Sequence, residues 1–186
     1  MIRLLKRFAL IVIALIIIVF VLFDIVKIQD IILKKIYPKE YSEYVEEYSE
    51  EYDVDDKLIY AIIKAESNFN EKAESHKNAK GLMQLMSSTA EDVAKSIKLS
   101  YNEEDLDKPD INIKLGVKYI SDLIKKYDSI ELALAAYNAG SGNVDNWIKD
   151  GILKSDGNNI ENIPYKETNN YVRRILRDYK IYMELY

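Results

Sequence analysis

Residues 56–70 read DKLIYAIIKAESNFN, and this stretch decides the architecture. Asp55, just before it, is a good N-cap, and a helix is predicted from about Asp56 to Glu66. Ile59, Ile62, Ile63 and Glu66 stand at helical spacings of three, four and seven, so the three isoleucines and the acid share one face. A carboxyl on an apolar face is costly unless it has a partner or a task, because burial disfavours its charged form. The same burial raises its pKa, which is what a general acid needs to hold a proton near neutral pH. Taken alone, the pattern also fits a helix-end Glu that reaches solvent.

Upstream, Tyr37, Tyr41, Tyr44, Tyr48 and Tyr52 recur at a helical period, a stripe expected to pack a helix onto the domain, and Asp53 breaks it. Downstream, Ser88-x-x-Glu91 reads as a capping box opening a further helix. Residues 110–127 form the next helix, and Ser129 caps another that ends near Ala139-Gly140. Residues 143–149, carrying Trp147, form a short helix. A polar loop covers 150–163, and a last helix spans 167–186 with an apolar stripe of Tyr171, Val172, Ile175, Leu176, Tyr179 and Tyr182. The expected fold is mainly α, with room for at most a small sheet near residues 70–85.

At the amino terminus Phe8 to Phe23 is unbroken apolar sequence, extended past Asp24 by Ile25 and Val26. A helix through it spans the hydrocarbon core of a bilayer, and Arg3, Lys6 and Arg7 before it put the amino terminus inside and the rest outside. No small-x-small cleavage site follows, so an uncleaved anchor over residues 1–26 is expected, then a short amphipathic stalk over 27–37 and one domain over 38–186.

The whole chain has net charge −5, but residues 1–35 carry +4 and the rest −9. That leaves no basic footprint for nucleic acid. With no Cys and a single histidine, His76, thiolate chemistry, disulfides and a His-cluster metal site drop out, and a Ser-His-Asp triad has only His76 to draw on. The chemistry must come from carboxylates, hydroxyls and amides.

Four blocks surround that chemistry: Glu66-Ser67-Asn68-Phe69-Asn70, Gly81-Leu82-Met83-Gln84-Leu85-Met86, Ala135-Ala136-Tyr137-Asn138-Ala139-Gly140 and Ile163-Pro164-Tyr165-Lys166-Glu167-Thr168. In this order and spacing the chain, over roughly residues 38–186, resembles the lytic transglycosylases of the soluble-lytic-transglycosylase type, whose domain is lysozyme-like (mainly α, α+β in class). The resemblance implies that Glu66 is the sole catalytic acid/base. It implies that Ser75, Gln84 and Met86 line a cleft, that Tyr137 stands beside the acid, and that Glu167 is a second cleft carboxylate helping to hold that region together. Asn138 belongs to the same set of substrate-binding candidates, although its place before Gly140 suits it equally to fixing backbone groups in a tight turn. Gln84 and Met86 could also be packing residues, Trp147 is expected in the core and His76 in a solvated loop. The chain departs from the family pattern at Glu71, Asn78, Ser87 and Asn169, where the family commonly has Pro, Gly, Pro and Arg.

The implied reaction cleaves the β-1,4 bond between N-acetylmuramic acid and N-acetylglucosamine in peptidoglycan and closes a 1,6-anhydro ring, with no metal or cofactor. The implied partners are glycan strands, the membrane through the anchor, and cell-wall or secretion machinery. The location is single-pass in the membrane with the domain outside. Two alternatives stay open: a hydrolytic muramidase, which needs an Asp across the cleft (Asp53, Asp55 and Asp110 are available), and a non-catalytic wall-binding module.

Overall fold

The computed structural model describes Ile18 and residues 27–186. Apart from Ile18, the expected membrane segment lies outside the described residues. Among the described residues no helix is long and apolar enough to cross a membrane. There are two compact units, one ending at Pro38 and one running from Lys39 to Glu184 with Tyr186. In the first, residues 27–36 are helical, Lys34 pairs with Asp30 at 2.9 Å, and Ile28, Ile31, Ile32 and Ile36 are exposed.

The second unit is helical: α1 (Ser42–Tyr52), α2 (Asp56–Ser67), α3 (Ser87–Ser96), α4 (Pro109–Tyr127), α5 (Ile130–Ala139), α6 (Ser141–Lys149) and α7 (Lys166–Leu185), with short 3-10 turns at Glu103–Asp107 and Ile160–Asn162. No strand occurs among the described residues. Where the sequence left room for a sheet there are two isolated antiparallel bridges, Glu74 with Lys80 and Lys80 with Leu85.

The caps explain most boundaries. The Asp55 carboxylate accepts from the Lys57 amide at 2.8 Å, and Ser129 Oγ accepts from the Leu132 amide at 3.3 Å. The expected box of Ser88 and Glu91 does not form. The Ala90 amide already reaches the Met86 carbonyl at 2.9 Å, so the helix starts at Ser87 and Ser88 lies inside it. Glu91 pairs instead with Lys95 at 2.7 Å. A capping box does form at Asn102 with Asp105, opening the first 3-10 turn.

The tyrosine stripe does pack α1, but in company. Tyr48 is buried beside Val45 and Ser49, Tyr44 and Tyr52 are half-buried, and Tyr41 is left-handed at φ 57° just ahead of the helix. In α5 the run Leu132–Ala136 is fully buried on every side, as befits a helix with no polar face. The hub is α4, which packs against α1, α3, α5 and the first 3-10 turn. On α7, Tyr171, Val172, Ile175 and Tyr182 are buried as the stripe requires, while Leu176 and Tyr179 are half-buried. Tyr182 stacks on Tyr60 with centroids 5.6 Å apart.

One buried polar side chain organises the irregular segment between α2 and α3. Asn112, with no exposed surface, accepts from the Met83 amide at 2.8 Å and donates to the carbonyls of Lys80 and Leu106, both at 2.9 Å. Gly81 (φ 78°) allows this approach, since a Cβ there would lie 2.1 Å from Asn112 Nδ2. Asn78, where the resembled pattern has Gly, adopts φ 60°, a left-handed conformation that Asn tolerates better than most residues. The segment is therefore pinned to α4 although it contains no regular structure.

Candidate active site

Glu66 occupies the last turn of α2, one position before the helix ends. Asn68 (φ 49°) and Phe69 (φ 65°) are consecutive left-handed residues that turn the chain sharply away. That conformation costs a bulky residue about 1–2 kcal/mol, offset at Phe69 by burial of its ring. Below Glu66, Ile59, Ile62 and Ile63 are fully buried, as the helical spacing requires.

This setting fixes the electrostatics. Burial pushes the Glu66 carboxyl up to about 7, against an ordinary 4.5, although a hydrogen bond from Tyr171 and the charge of Arg174 pull the other way. Tyr171 Oη donates to Glu66 Oε1 at 2.6 Å. Burial holds the Tyr171 phenol well above its usual range, with the Glu66 charge adding to the effect, so it remains a donor at any working pH. The result is a carboxyl that keeps its proton near neutrality and is fixed in orientation by one neutral hydroxyl.

All seven candidates from the sequence line one cleft of about 340 Å³: Glu66, Ser75, Gln84, Met86, Tyr137, Asn138 and Glu167. Two further hollows adjoin it through shared residues. One of about 390 Å³ is lined by Glu66, Asn138, Glu167, Asn170, Tyr171 and Arg174. The other, about 210 Å³, shares Gln84, Met86, Tyr137 and Asn138 and adds Thr89 and Tyr119.

Within the cleft the side chains are employed differently. Tyr137 Oη donates to the Met83 carbonyl at 2.7 Å, bracing α5 against the pinned segment, and its ring lies 5.1 Å from that of Tyr119. Gln84, left-handed at φ 48°, donates through Nε2 to the carbonyls of Ala73 and Gly81 at 2.8 and 3.0 Å, which leaves its Oε1 without a partner among the described residues. Ser75 Oγ accepts from the amides of Ala79 and Lys77 at 3.0 and 3.3 Å. Met86 is 41% exposed, so it is no core residue but an apolar surface on the cleft wall. Asn138 is exposed and accepts from Thr168 Oγ1 at 2.8 Å, tying α5 to α7. The carbonyl at the tight turn is held instead by Asn143, whose Nδ2 donates to Ala139 at 2.7 Å. Glu167 is an exposed carboxylate in the first turn of α7, without an ion pair among the described residues. His76 is an exposed loop residue at the cleft edge. Trp147 is buried and meets Tyr165 edge-on at 5.0 Å.

Two participants escaped the sequence reading. Tyr171 was visible only as part of an apolar stripe, and nothing in helical spacing says that its hydroxyl meets a residue 105 positions away. Arg174, whose Nη2 donates to the Ala65 carbonyl at 3.2 Å, carries no local signal either.

Known proteins resemble this chain in sequence and fold. A family model described as "Transglycosylase SLT domain" matches residues 43–159. A Haemophilus influenzae protein named as a soluble lytic murein transglycosylase is 37% identical over 152 residues, 80% of this chain and 25% of its own length. A membrane-bound lytic murein transglycosylase F of Desulfosudis oleivorans is 32% identical over 120 residues, 60% of this chain and 25% of the relative. The crystal structure of an inactive Glu-to-Gln mutant of the lytic transglycosylase Slt from Pseudomonas aeruginosa superposes with a TM-score of 0.75 at 34% identity, covering 82% of this chain and 25% of that one. The chain thus spans about a quarter of the length of these proteins.

Proposed function

Since the chain belongs to the transglycosylase SLT domain family, we propose that it cuts peptidoglycan glycan strands as a lytic transglycosylase, with Glu66 as its acid and then its base. One observation carries this reading: a carboxyl that burial holds as an acid up to about pH 7, standing at the junction of a cleft and its neighbouring hollow, with a tyrosine hydroxyl as its hydrogen-bond partner. Protonated Glu66 gives its proton to the oxygen linking N-acetylmuramic acid to N-acetylglucosamine. The 2-acetamido group of the muramic acid stabilises the oxocarbenium-like centre. Glu66, now a carboxylate with a raised pKa, takes the proton of the muramic acid 6-hydroxyl, whose oxygen closes the anhydro ring. A group with pKa near the working pH serves both steps, because neither protonation state is far out of reach. Exposed Met86 offers a sugar face an apolar contact, and the Oε1 of Gln84 can accept from a sugar hydroxyl or amide.

Hydrolysis on the same site is the second reading. Ordinary glycosidases use two carboxylates about the scissile bond, and Glu167 shares both hollows with Glu66, which favours it. Two of the three aspartates open to that role are differently placed: Asp53 and Asp55 line a separate acidic hollow beside Glu46 and Glu50. Asp55 is moreover engaged, accepting from the Lys57 amide and from Tyr179 Oη. The two readings differ by one water in the product mass. Digestion of purified peptidoglycan is expected to give 1,6-anhydro-N-acetylmuramic acid ends, and products with reducing ends alone would assign hydrolysis.

The apolar run from Phe8 to Phe23, preceded by Arg3, Lys6 and Arg7, supports a membrane-anchored location with the domain outside the cytoplasm. Full-length protein is expected to stay in the membrane pellet through alkaline carbonate extraction. Its release into the supernatant would overturn the anchor.

A further inference from the structure

Residues 27–36, KIQDIILKKI, are helical and have no part in the proposed reaction. Ile28, Ile31, Ile32 and Ile36 stand at i, i+3, i+4 and i+8, so they share one helical face, and Leu33 borders it. All five are between 37% and 59% exposed. A single exposed isoleucine is ordinary, but a run of them on one face forms an apolar patch, and such patches mark contact with a protein or a membrane. The opposite face carries Lys27, Asp30 and Lys34, with Asp30 and Lys34 paired at 2.9 Å.

The neighbouring sequence and one lysine decide between those two occupants. The apolar run from Phe8, extended by Ile25 and Val26, stops immediately ahead of Lys27. With Arg3, Lys6 and Arg7 holding the amino terminus inside, residue 27 emerges at the outer headgroups, within reach of lipid from its first turn. Lys35 stands at i+7 from Ile28, within the apolar face itself. A second copy of this helix would bury that ammonium in the seam between two apolar faces, where an unpaired charge is costly. A lipid surface accepts it, because the methylene stem can lie along apolar surface while the charged head reaches a phosphate. Three lysines against one Asp give the segment a balance of +2, which suits anionic headgroups.

We propose that residues 27–36 lie in the interface of an anionic bilayer, with Ile28, Ile31 and Ile32 toward the acyl chains and Lys35 on a lipid phosphate. This placement rests on the reading of residues 1–26 as a membrane anchor. It makes the segment a surface-bound helix and not a spacer. Upright, its ten residues would carry Pro38 about 15 Å from the bilayer, whereas lying flat they add no reach.

The chain has no Cys, so a single introduced thiol carries a nitroxide label without background. Full-length protein with Ile28→Cys, Ile31→Cys, Ile32→Cys, Lys27→Cys, Asp30→Cys or Lys34→Cys is placed in vesicles containing phosphatidylglycerol. Collision of each label with oxygen, which concentrates in lipid, is compared with collision with a water-borne nickel chelate. The isoleucine sites are expected to favour oxygen and the other three the chelate, alternating at the helical period. Adding Lys35→Gln to Ile32→Cys should reduce the oxygen contact at that label, and an unchanged contact overturns the pairing of Lys35 with phosphate. Labels that favour the chelate at every site overturn the proposal and leave the helix upright in water. Isoleucine sites shielded from both reagents, with dipolar broadening between labels, overturn it in favour of a second copy. Protein that does not float with the vesicles overturns the anchor reading itself.

Discussion

Glu66→Gln is expected to abolish turnover while leaving a protein more stable than the parent at alkaline pH. The amide keeps the size of the side chain and can still accept from Tyr171, but it has no proton to give and cannot act as a base. General acid–base catalysis by one group is worth about 100- to 10,000-fold, and the loss should reach the upper end because in the proposed reaction the same group serves both steps. The stability effect follows from titration. Folded Glu66 holds its proton to about pH 7, whereas an ordinary carboxyl loses it near 4.5. Between those values the folded state binds the extra proton, so the parent is most stable below 4.5 and loses stability as pH rises through 7. The full difference amounts to roughly 3 kcal/mol. Glu66→Gln carries no such titration. Urea midpoints should therefore coincide near about pH 4 and diverge in favour of the variant near about pH 8.5. Retained activity would sink the role of Glu66, and coincident midpoints at both pH values would show that its carboxyl is not held as an acid by burial.

Asn112→Ala is expected to be the most destabilising single truncation in the domain outside the apolar core. It leaves the Met83 amide and the carbonyls of Lys80 and Leu106 without their partner in a site closed to solvent. Each stranded buried group costs about 1–3 kcal/mol. Some water will enter the space, so a net loss near 3 kcal/mol is the expected order, read as a lower urea midpoint at unchanged slope. Activity should fall in the molecules that remain folded, because Gln84 and Met86 hang on the released segment while Glu66 and Tyr171 do not. A loss below about 0.5 kcal/mol, typical of a surface change, would show that the hydrogen bonds of Asn112 are replaceable.

The parts of this fold written in local periodicity were legible, and those written in long-range contacts were not. The Ile59–Ile62–Ile63–Glu66 face was decided by spacing alone, and Asp55 and Ser129 cap where their chemistry says they should. Ser88 and Glu91 had the chemistry of a box but not the position, because the chain closes its first turn from the Met86 carbonyl. Seven candidates that the resemblance implied share one cleft, yet the resemblance did not reveal how each side chain is employed. Gln84 braces its own loop through its amide nitrogen, and Asn138 answers to Thr168 rather than to its turn. Asn112, in the first turn of α4, gave no sign of its importance, since its partners lie up to 32 residues away in sequence.

The clasp of Asn112 on residues 80–83 also bears on what the glycan of the proposed reaction would meet on arrival. A wall made of loop would ordinarily have to be ordered by its ligand, at about 1–2 kcal/mol for each residue whose backbone is fixed. Here that ordering is accomplished during folding, by a buried side chain of α4. Gln84 and Met86 therefore stand in place before any strand binds, and contacts with them count toward affinity with little entropic deduction. The side of the cleft made by these residues is a fixed jaw, so any motion that admits or releases the polymer has to come from elsewhere in the domain.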